Sequence, residues 1–152
     1  MIGTMPIDRF KDEFAFLSNF YPASVMLDGI WYPSVENAYQ AAKTLDPALR
    51  QNFVRIRANK AKFLGSSIKL RDDWEQVKLQ IMTDLVTQKF TRHSGLKTRL
   101  MTTSPRQLIE GNHWDDVYWG VCNGVGTNHL GIILMNIRDT LISEYITRIL
   151  DY

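Results

Sequence analysis

Val25-Met26-Leu27-Asp28-Gly29-Ile30-Trp31-Tyr32-Pro33-Ser34-Val35-Glu36-Asn37-Ala38-Tyr39-Gln40-Ala41-Ala42-Lys43 is the stretch that decides the fold. Asp28-Gly29 sits between two short apolar and aromatic runs. Asp-Gly tolerates the positive φ angles of a tight turn, so the first half predicts a β-hairpin, closed by Pro33. Ser34 is then the predicted N-cap of a helix reaching about Thr44.

Moving outward, Asp46-Pro47 caps and starts a second helix, because Pro loses little at the first helical position. Leu49, Phe53 and Ile56 form its apolar stripe. A short helix over Asn59–Leu64 is expected to end at Gly65 as a left-handed C-cap. Asp72 and Glu75 have capping-box spacing. They open a long helix with Val77, Ile81, Met82, Leu85 and Val86 at helical period. Ser94–Met101 reads as another short helix, Leu108–Glu110 and Val117–Trp119 as short strands, and Gly120–Thr127 as a loop. Asn128 caps a C-terminal helix whose Leu130, Ile133, Leu134, Ile137 and Leu141 face inward. The predicted class is α+β, a helix-dominated single domain over residues 1–152 with a small antiparallel β element.

The 152 residues suit one domain, and a 45% hydrophobic content can fill its core. Eighteen Lys and Arg against 16 Asp and Glu leave a formal charge of +2, too little to argue for nucleic acid by charge alone. Cys122 is the single cysteine, so no intrachain disulfide forms, which suits a reducing compartment. Met1-Ile2-Gly3-Thr4-Met5-Pro6 has no basic n-region leading into an apolar stretch, and no apolar run is long enough for a membrane span. A cytoplasmic chain without a membrane association is expected. His93, His113 and His129 do not stand at metal-ligand spacing, so neither a metal site nor a cofactor is predicted. No Gly-x-Ser-x-Gly is present.

Four segments hold more polar and aromatic detail than a core needs. In Phe14–Pro22, aromatics interleave with Ser18 and Asn19, a pattern that can stack a base and bond its edge; the plainer alternative is core aromatics around a turn. In Ser34–Lys43, Glu36, Tyr39, Gln40 and Lys43 stand at i, i+3, i+4 and i+7 and share one helix face. The alternative is a solvated face, although Ala38, Ala41 and Ala42 on the other sides argue for close packing. Trp74 opens a long helix and is either a core anchor or a pocket wall. The fourth segment, Asn112–Gly131, ends in Gly124-Val125-Gly126-Thr127-Asn128, whose bare backbone and helix start can receive a phosphate. An ordinary turn is the alternative, since the third glycine of a dinucleotide fingerprint and the Gly-Lys-Ser/Thr of a P-loop are both missing.

Taken together, the segments resemble the NADAR superfamily. The resemblance rests on Leu17-Ser18-Asn19-Phe20, Pro33 through Lys43, Trp74-Glu75-Gln76-Val77-Lys78, Asp116-Val117-Tyr118-Trp119-Gly120, Gly124-x-Gly126-x-Asn128-x-Leu130-Gly131 and Leu134-Met135-Asn136-Ile137-Arg138. Their order and spacing run over nearly the whole chain; Val121-Cys122-Asn123 departs from relatives that carry more glycine there. The resemblance implies cleavage of an N-glycosidic bond between ribose C1 and nitrogen. The implied partners are a phosphorylated ribosylamine, such as a ribosylamino-pyrimidine phosphate of riboflavin synthesis, or an ADP-ribosyl substrate, including ADP-ribosylated guanine in nucleic acid. It implies a catalytic set of Glu36, Lys43 and Asp116. The implied substrate-binding set is Ser18, Asn19, Phe20, Tyr39, Trp74, Trp119, Gly120, Gly124, Gly126 and Asn128.

Such a glycosylamine opens to an imine. Its cleavage needs a proton on nitrogen, support for positive charge at C1 and a nucleophile. Two routes stay open: direct hydrolysis between carboxylates, or attack by Lys43 through a Schiff base. A non-catalytic module holding ADP-ribose or NAD is the competing reading, and an adaptor acting through a protein partner is a third.

Overall fold

A computed structural model of the chain describes residues 4–152. Met1-Ile2-Gly3, part of the N-terminal reading above, lies outside them. The chain divides into two compact units: Asn19–Thr91, and the described residues before Asn19 together with Arg92–Tyr152.

In the Asn19–Thr91 unit, β1 (Val25–Leu27) pairs antiparallel with β2 (Ile30–Tyr32), Met26 opposite Trp31. Asp28 at φ 48° and Gly29 at φ 83° make the turn, so the Asp-Gly signal meant what its backbone chemistry requires. The helices are α1 (Val35–Ala41), α2 (Pro47–Gln51), α3 (Ala58–Gly65) and α4 (Trp74–Arg92). Ser34 caps α1 by accepting from the Asn37 N–H, and Asp46 caps α2 by accepting from the Ala48 N–H.

Every residue of α1 is buried, and the helix packs against α3, α2 and both strands. Its small residues Ala38 and Ala41 permit that approach. Asn37 donates from Nδ2 to the carbonyls of Phe53 and Ile56, both at 2.8 Å, which ties the chain between α2 and α3 to α1. Arg50 is buried and holds the hairpin turn, donating 2.6 Å to Asp28 Oδ2 and 2.8 Å to the Thr44 carbonyl. Gln88 of α4 serves Met26 as a strand would: it accepts from the Met26 N–H at 2.9 Å and donates to its carbonyl at 2.8 Å.

Two expectations shift here. Gly65 is the last residue of α3, and its φ is not positive. It is small because a Cβ there would collide with the Gln40 side chain of α1. The first turn of α4 hangs on Asp73, whose carbonyl accepts from the Gln76 and Val77 N–H groups, rather than on Asp72.

In the other unit a 3-10 turn (Asp12–Leu17) precedes α5 (Ser94–Thr102), β3 (Gly111–Asn112), β4 (Val121–Cys122) and α6 (His129–Leu150). Leu130, Ile133, Leu134, Ile137 and Leu141 are buried along α6 as their period predicts. Buried Arg138 donates to the Arg106 carbonyl at 2.6 Å and to Thr103 Oγ1 at 3.2 Å. The strands fall later than expected, and β3 and β4 pair parallel. Leu108 makes only an isolated bridge to Ile7. Val117–Trp119 is held in a turn, because Asp116 Oδ1 accepts the N–H groups of Tyr118 and Trp119 at 3.2 and 2.9 Å. A side chain that takes the backbone donors removes them from a ladder.

Candidate active site

The face predicted from helical spacing on α1 exists, and it is buried rather than solvated. Glu36 and Gln40 are 7% and 5% exposed, and Gln40 Nε2 donates to Glu36 Oε1 at 2.8 Å across one helical turn. The Glu36 N–H donates to the Asn19 carbonyl at 3.0 Å, so Asn19 is fixed at the start of α1. Its side chain donates toward Met82 Sδ at 3.4 Å. Tyr39 stands on the same face with its ring 5.2 Å from that of Trp74, tilted by 51°. Trp74 is buried, as a core anchor would be, with its ring packed against Tyr39.

Lys43 continues the row. Its Nζ lies 5.8 Å from the Tyr39 ring centre, and its carbonyl accepts the Arg71 N–H at 2.7 Å. Burial lowers the Lys43 amine below the usual lysine range; the Glu36 carboxylate opposes this and the Lys62 cation adds to it. α1 ends at Ala41, short of the expected Thr44, so Lys43 stands in the turn that follows it; a carboxylate, an amide and a phenol ring of the helix and an amine of reduced basicity in that turn nonetheless lie along one side. Phe20 is 40% exposed, with Lys62 Nζ 5.9 Å from its ring centre.

The remaining predicted residues belong to the other unit. Ser18 ends the 3-10 turn. Asp116 organises a turn: besides accepting from Tyr118 and Trp119, its N–H donates to Asn112 Oδ1 at 3.1 Å and its carbonyl accepts from Asn112 Nδ2 at 2.8 Å. That turn sets the Trp119 ring edge-on to Tyr118, whose ring lies 4.4 Å from that of His129. A Cβ on Gly120 would meet Glu110.

The glycine loop differs from expectation in its free donors. The Thr127, Asn128, His129 and Leu130 N–H groups donate to the carbonyls of Val117, Gly120, Tyr118 and Trp119. The first two N–H groups of α6, those of His129 and Leu130, are thus taken by the chain itself. Asn128 occupies the N-cap position at φ 53° without a side-chain cap; its side chain accepts from the Glu110 N–H and donates to the Leu108 carbonyl. Gly126 has φ 152°, and a Cβ there would strike the Gly120 carbonyl. Gly126→Val is accordingly expected to lower the stability of the fold by about 1–3 kcal/mol through strain and overpacking. Urea unfolding measures this; a variant as stable as the parent contradicts the packing role.

Sequence reasoning placed Gln40 on the reactive face without a role, and it missed Lys62 and Lys89. Lys62 belongs to a run from Pro47 to Arg71 that contains no acidic residue. Lys89 falls on the apolar stripe of α4, seven residues after Met82, and is 1% exposed. Its Nζ lies 5.6 and 5.1 Å from the Tyr21 and Phe90 ring centres, and burial lowers its pKa to about 7.

Among the described residues no cluster of three or more His, Cys, Asp and Glu is placed to hold a metal ion, and no helix is long and apolar enough to cross a membrane.

The NADAR domain profile matches residues 7–142, and the chain belongs to the NADAR family. It is 36% identical over 138 residues to the N-glycosidase YbiA of Escherichia coli, covering 88% of this chain and 86% of that protein. An N-glycosidase of Nostoc punctiforme is 35% identical over 131 residues, 82% of this chain and 83% of the relative. A riboflavin biosynthesis protein of Vibrio vulnificus is 35% identical over 134 residues, which is 36% of that longer protein. The NMR structure of E. coli YbiA superposes with a TM-score of 0.82 at 34% identity, over 93% of this chain and 88% of that one.

Proposed function

We propose that the chain is an N-glycosidase that cuts the bond between ribose C1 and an exocyclic nitrogen in a nucleotide-like ribosylamine. The observation that carries this reading is the geometry at α1, where Glu36 is buried and oriented by Gln40, and where Lys43 of the following turn lies beside Tyr39, whose ring meets that of Trp74, with its basicity lowered by burial. The names of the relatives, N-glycosidase and riboflavin biosynthesis protein, support it. A module that only bound ADP-ribose or NAD would have little use for a buried carboxylate near an amine of lowered basicity.

The lowered basicity of Lys43 favours the Schiff-base route over direct hydrolysis, because only the neutral amine is a nucleophile. The glycosylamine first opens to an imine at C1. Lys43 Nζ adds to C1 and the substrate nitrogen departs as the free amine, taking a proton that the Glu36 carboxyl is placed to supply. The resulting lysine imine takes up water, which Glu36 in its carboxylate form deprotonates. Lys43 is released as the amine, and the sugar leaves as the aldehyde that recloses to ribose. The balance is one ribosylamine and one water to one amine and one ribose. Asp116 contributes in this account by shaping the Trp119 turn.

The substrate class is tested by incubating the protein with a ribosylamino-pyrimidine phosphate and with guanine-ADP-ribosylated DNA, then identifying products. Release of free amine from the first assigns a small-molecule role, and restoration of guanine in the second a repair role. Inertness toward both contradicts the proposal.

A pH dependence follows from Lys43. As its pKa is depressed by burial, the neutral amine accumulates at a lower pH than for an exposed lysine. kcat/KM should therefore rise with pH along a limb whose midpoint lies below the ordinary lysine value of 10.5. A limb at or above that value contradicts the assignment of Lys43 as nucleophile.

A further inference from the structure

A nucleotide-like substrate carries phosphate, and the glycine loop that sequence reading offered for it spends its helix-start N–H groups on carbonyls of its own unit. The Asn19–Thr91 unit has a different source of positive charge. Between Asp46 and Asp72 there is no acidic residue, whereas Arg50, Arg55, Arg57, Lys60, Lys62, Lys69 and Arg71 are basic. Arg50 is committed to Asp28 and Arg71 to Asp73. Lys62 is distinguished from the others by where it stands. It lies on α3, which packs against α1, its side chain is exposed, and its Nζ lies 5.9 Å from the ring centre of the partly exposed Phe20. Phe20 follows Asn19, whose carbonyl is tied to the Glu36 N–H. The Lys62 charge also acts on the Lys43 amine.

We propose that Lys62 binds the phosphate of the substrate, beside Phe20 and at the exposed edge of the Glu36–Lys43 face. This rests on the function proposed above. It assigns to a lysine of α3 the anchoring that the glycine loop was expected to give. An ammonium suits the task as a mobile point charge with three donors. Its position beside an aromatic ring gives the ammonium a cation–π partner at the protein surface. The shared chemistry is a phosphate oxygen, which can come from the terminal phosphate of a small ribosylamine or from the backbone of a nucleic acid.

The test uses binding, so it stands apart from turnover. Wild type, Lys62→Ala and Lys62→Arg are titrated with ribose 5-phosphate, with ribose, and with a single-stranded oligodeoxynucleotide. Wild type should bind at least one phosphate-bearing ligand more tightly than ribose. Lys62→Ala should weaken that binding roughly 10- to 100-fold, the loss expected for a charge-assisted hydrogen bond, and leave ribose unaffected. Lys62→Arg should restore most of it. A loss confined to ribose 5-phosphate assigns the terminal phosphate; a loss that includes the oligonucleotide assigns the backbone. A folded Lys62→Ala protein that binds both phosphate ligands like wild type overturns the proposal, as does a wild type that prefers neither over ribose. Because no cleavage is needed, a protein that turns over neither proposed substrate still decides the role of Lys62.

Discussion

Glu36→Gln is expected to leave the protein folded and to slow turnover by ~10²–10⁴-fold, the usual contribution of a positioned general acid–base group. Gln nearly matches Glu in shape and can still meet the Gln40 amide, once that amide turns to offer its carbonyl oxygen. Glu36 is buried on a helix with no exposed residue; Gln40, one turn on, donates to its carboxylate at Oε1, and its backbone N–H is fixed on the Asn19 carbonyl. What the variant loses is the proton exchange, both toward the departing nitrogen and from the attacking water. The effect should fall on kcat, since a group that moves a proton acts in the transition state. Steady-state rates with circular dichroism as a control for folding measure this. A folded variant turning over at near the parental rate removes Glu36 from the mechanism.

Lys43 carries the second large effect. Borohydride added during turnover should leave a sugar-mass adduct on Lys43, found by peptide mass analysis, and Lys43→Arg should be inactive while keeping the positive charge. Arg is permanently protonated and cannot attack C1. The partial burial that lowers the Lys43 amine is what makes it a better nucleophile than a surface lysine. An active Lys43→Arg protein that repeatedly fails to give the adduct would return the reaction to direct hydrolysis assisted by Glu36.

The hairpin and α1 were legible because each residue signal had one physical meaning. Asp28-Gly29 demanded positive φ at both turn positions, and Ser34 offered a capping oxygen just before a helical pattern. The spacing of Glu36, Tyr39, Gln40 and Lys43 gave the shared face directly. It could not give the burial of that face, because burial comes from Gly65 of α3 and from the Asn37 bonds to Phe53 and Ile56, contacts made across long sequence separations.

The region around Asp116 was misread for a related reason. Val117-Tyr118-Trp119 has strand composition, but the Asp116 carboxylate takes its donors, and β4 starts two residues after Trp119. The glycines from Gly120 to Gly126 suggested an anion cradle. At Gly120 and Gly126 the backbone passes close to Glu110 and to Gly120, whereas Gly124 takes φ 78° in open space; composition alone does not distinguish these uses from ligand binding. Lys62 was overlooked because a lysine on a short helix looks like ordinary solvation until Phe20 and Lys43 are brought beside it.

Wild type and Glu36→Gln at equal concentration should be mixed with a ribosylamino-pyrimidine phosphate, and with an ADP-ribosylated guanine nucleotide in a parallel sample. Free amine and reducing sugar phosphate are then counted in each. The account predicts that wild type releases the two in equal amounts from at least one substrate, with the phosphate groups intact and the variant far slower. Substrates bound but unchanged, or cut at a phosphate bond in place of the ribose C1–nitrogen bond, would contradict it.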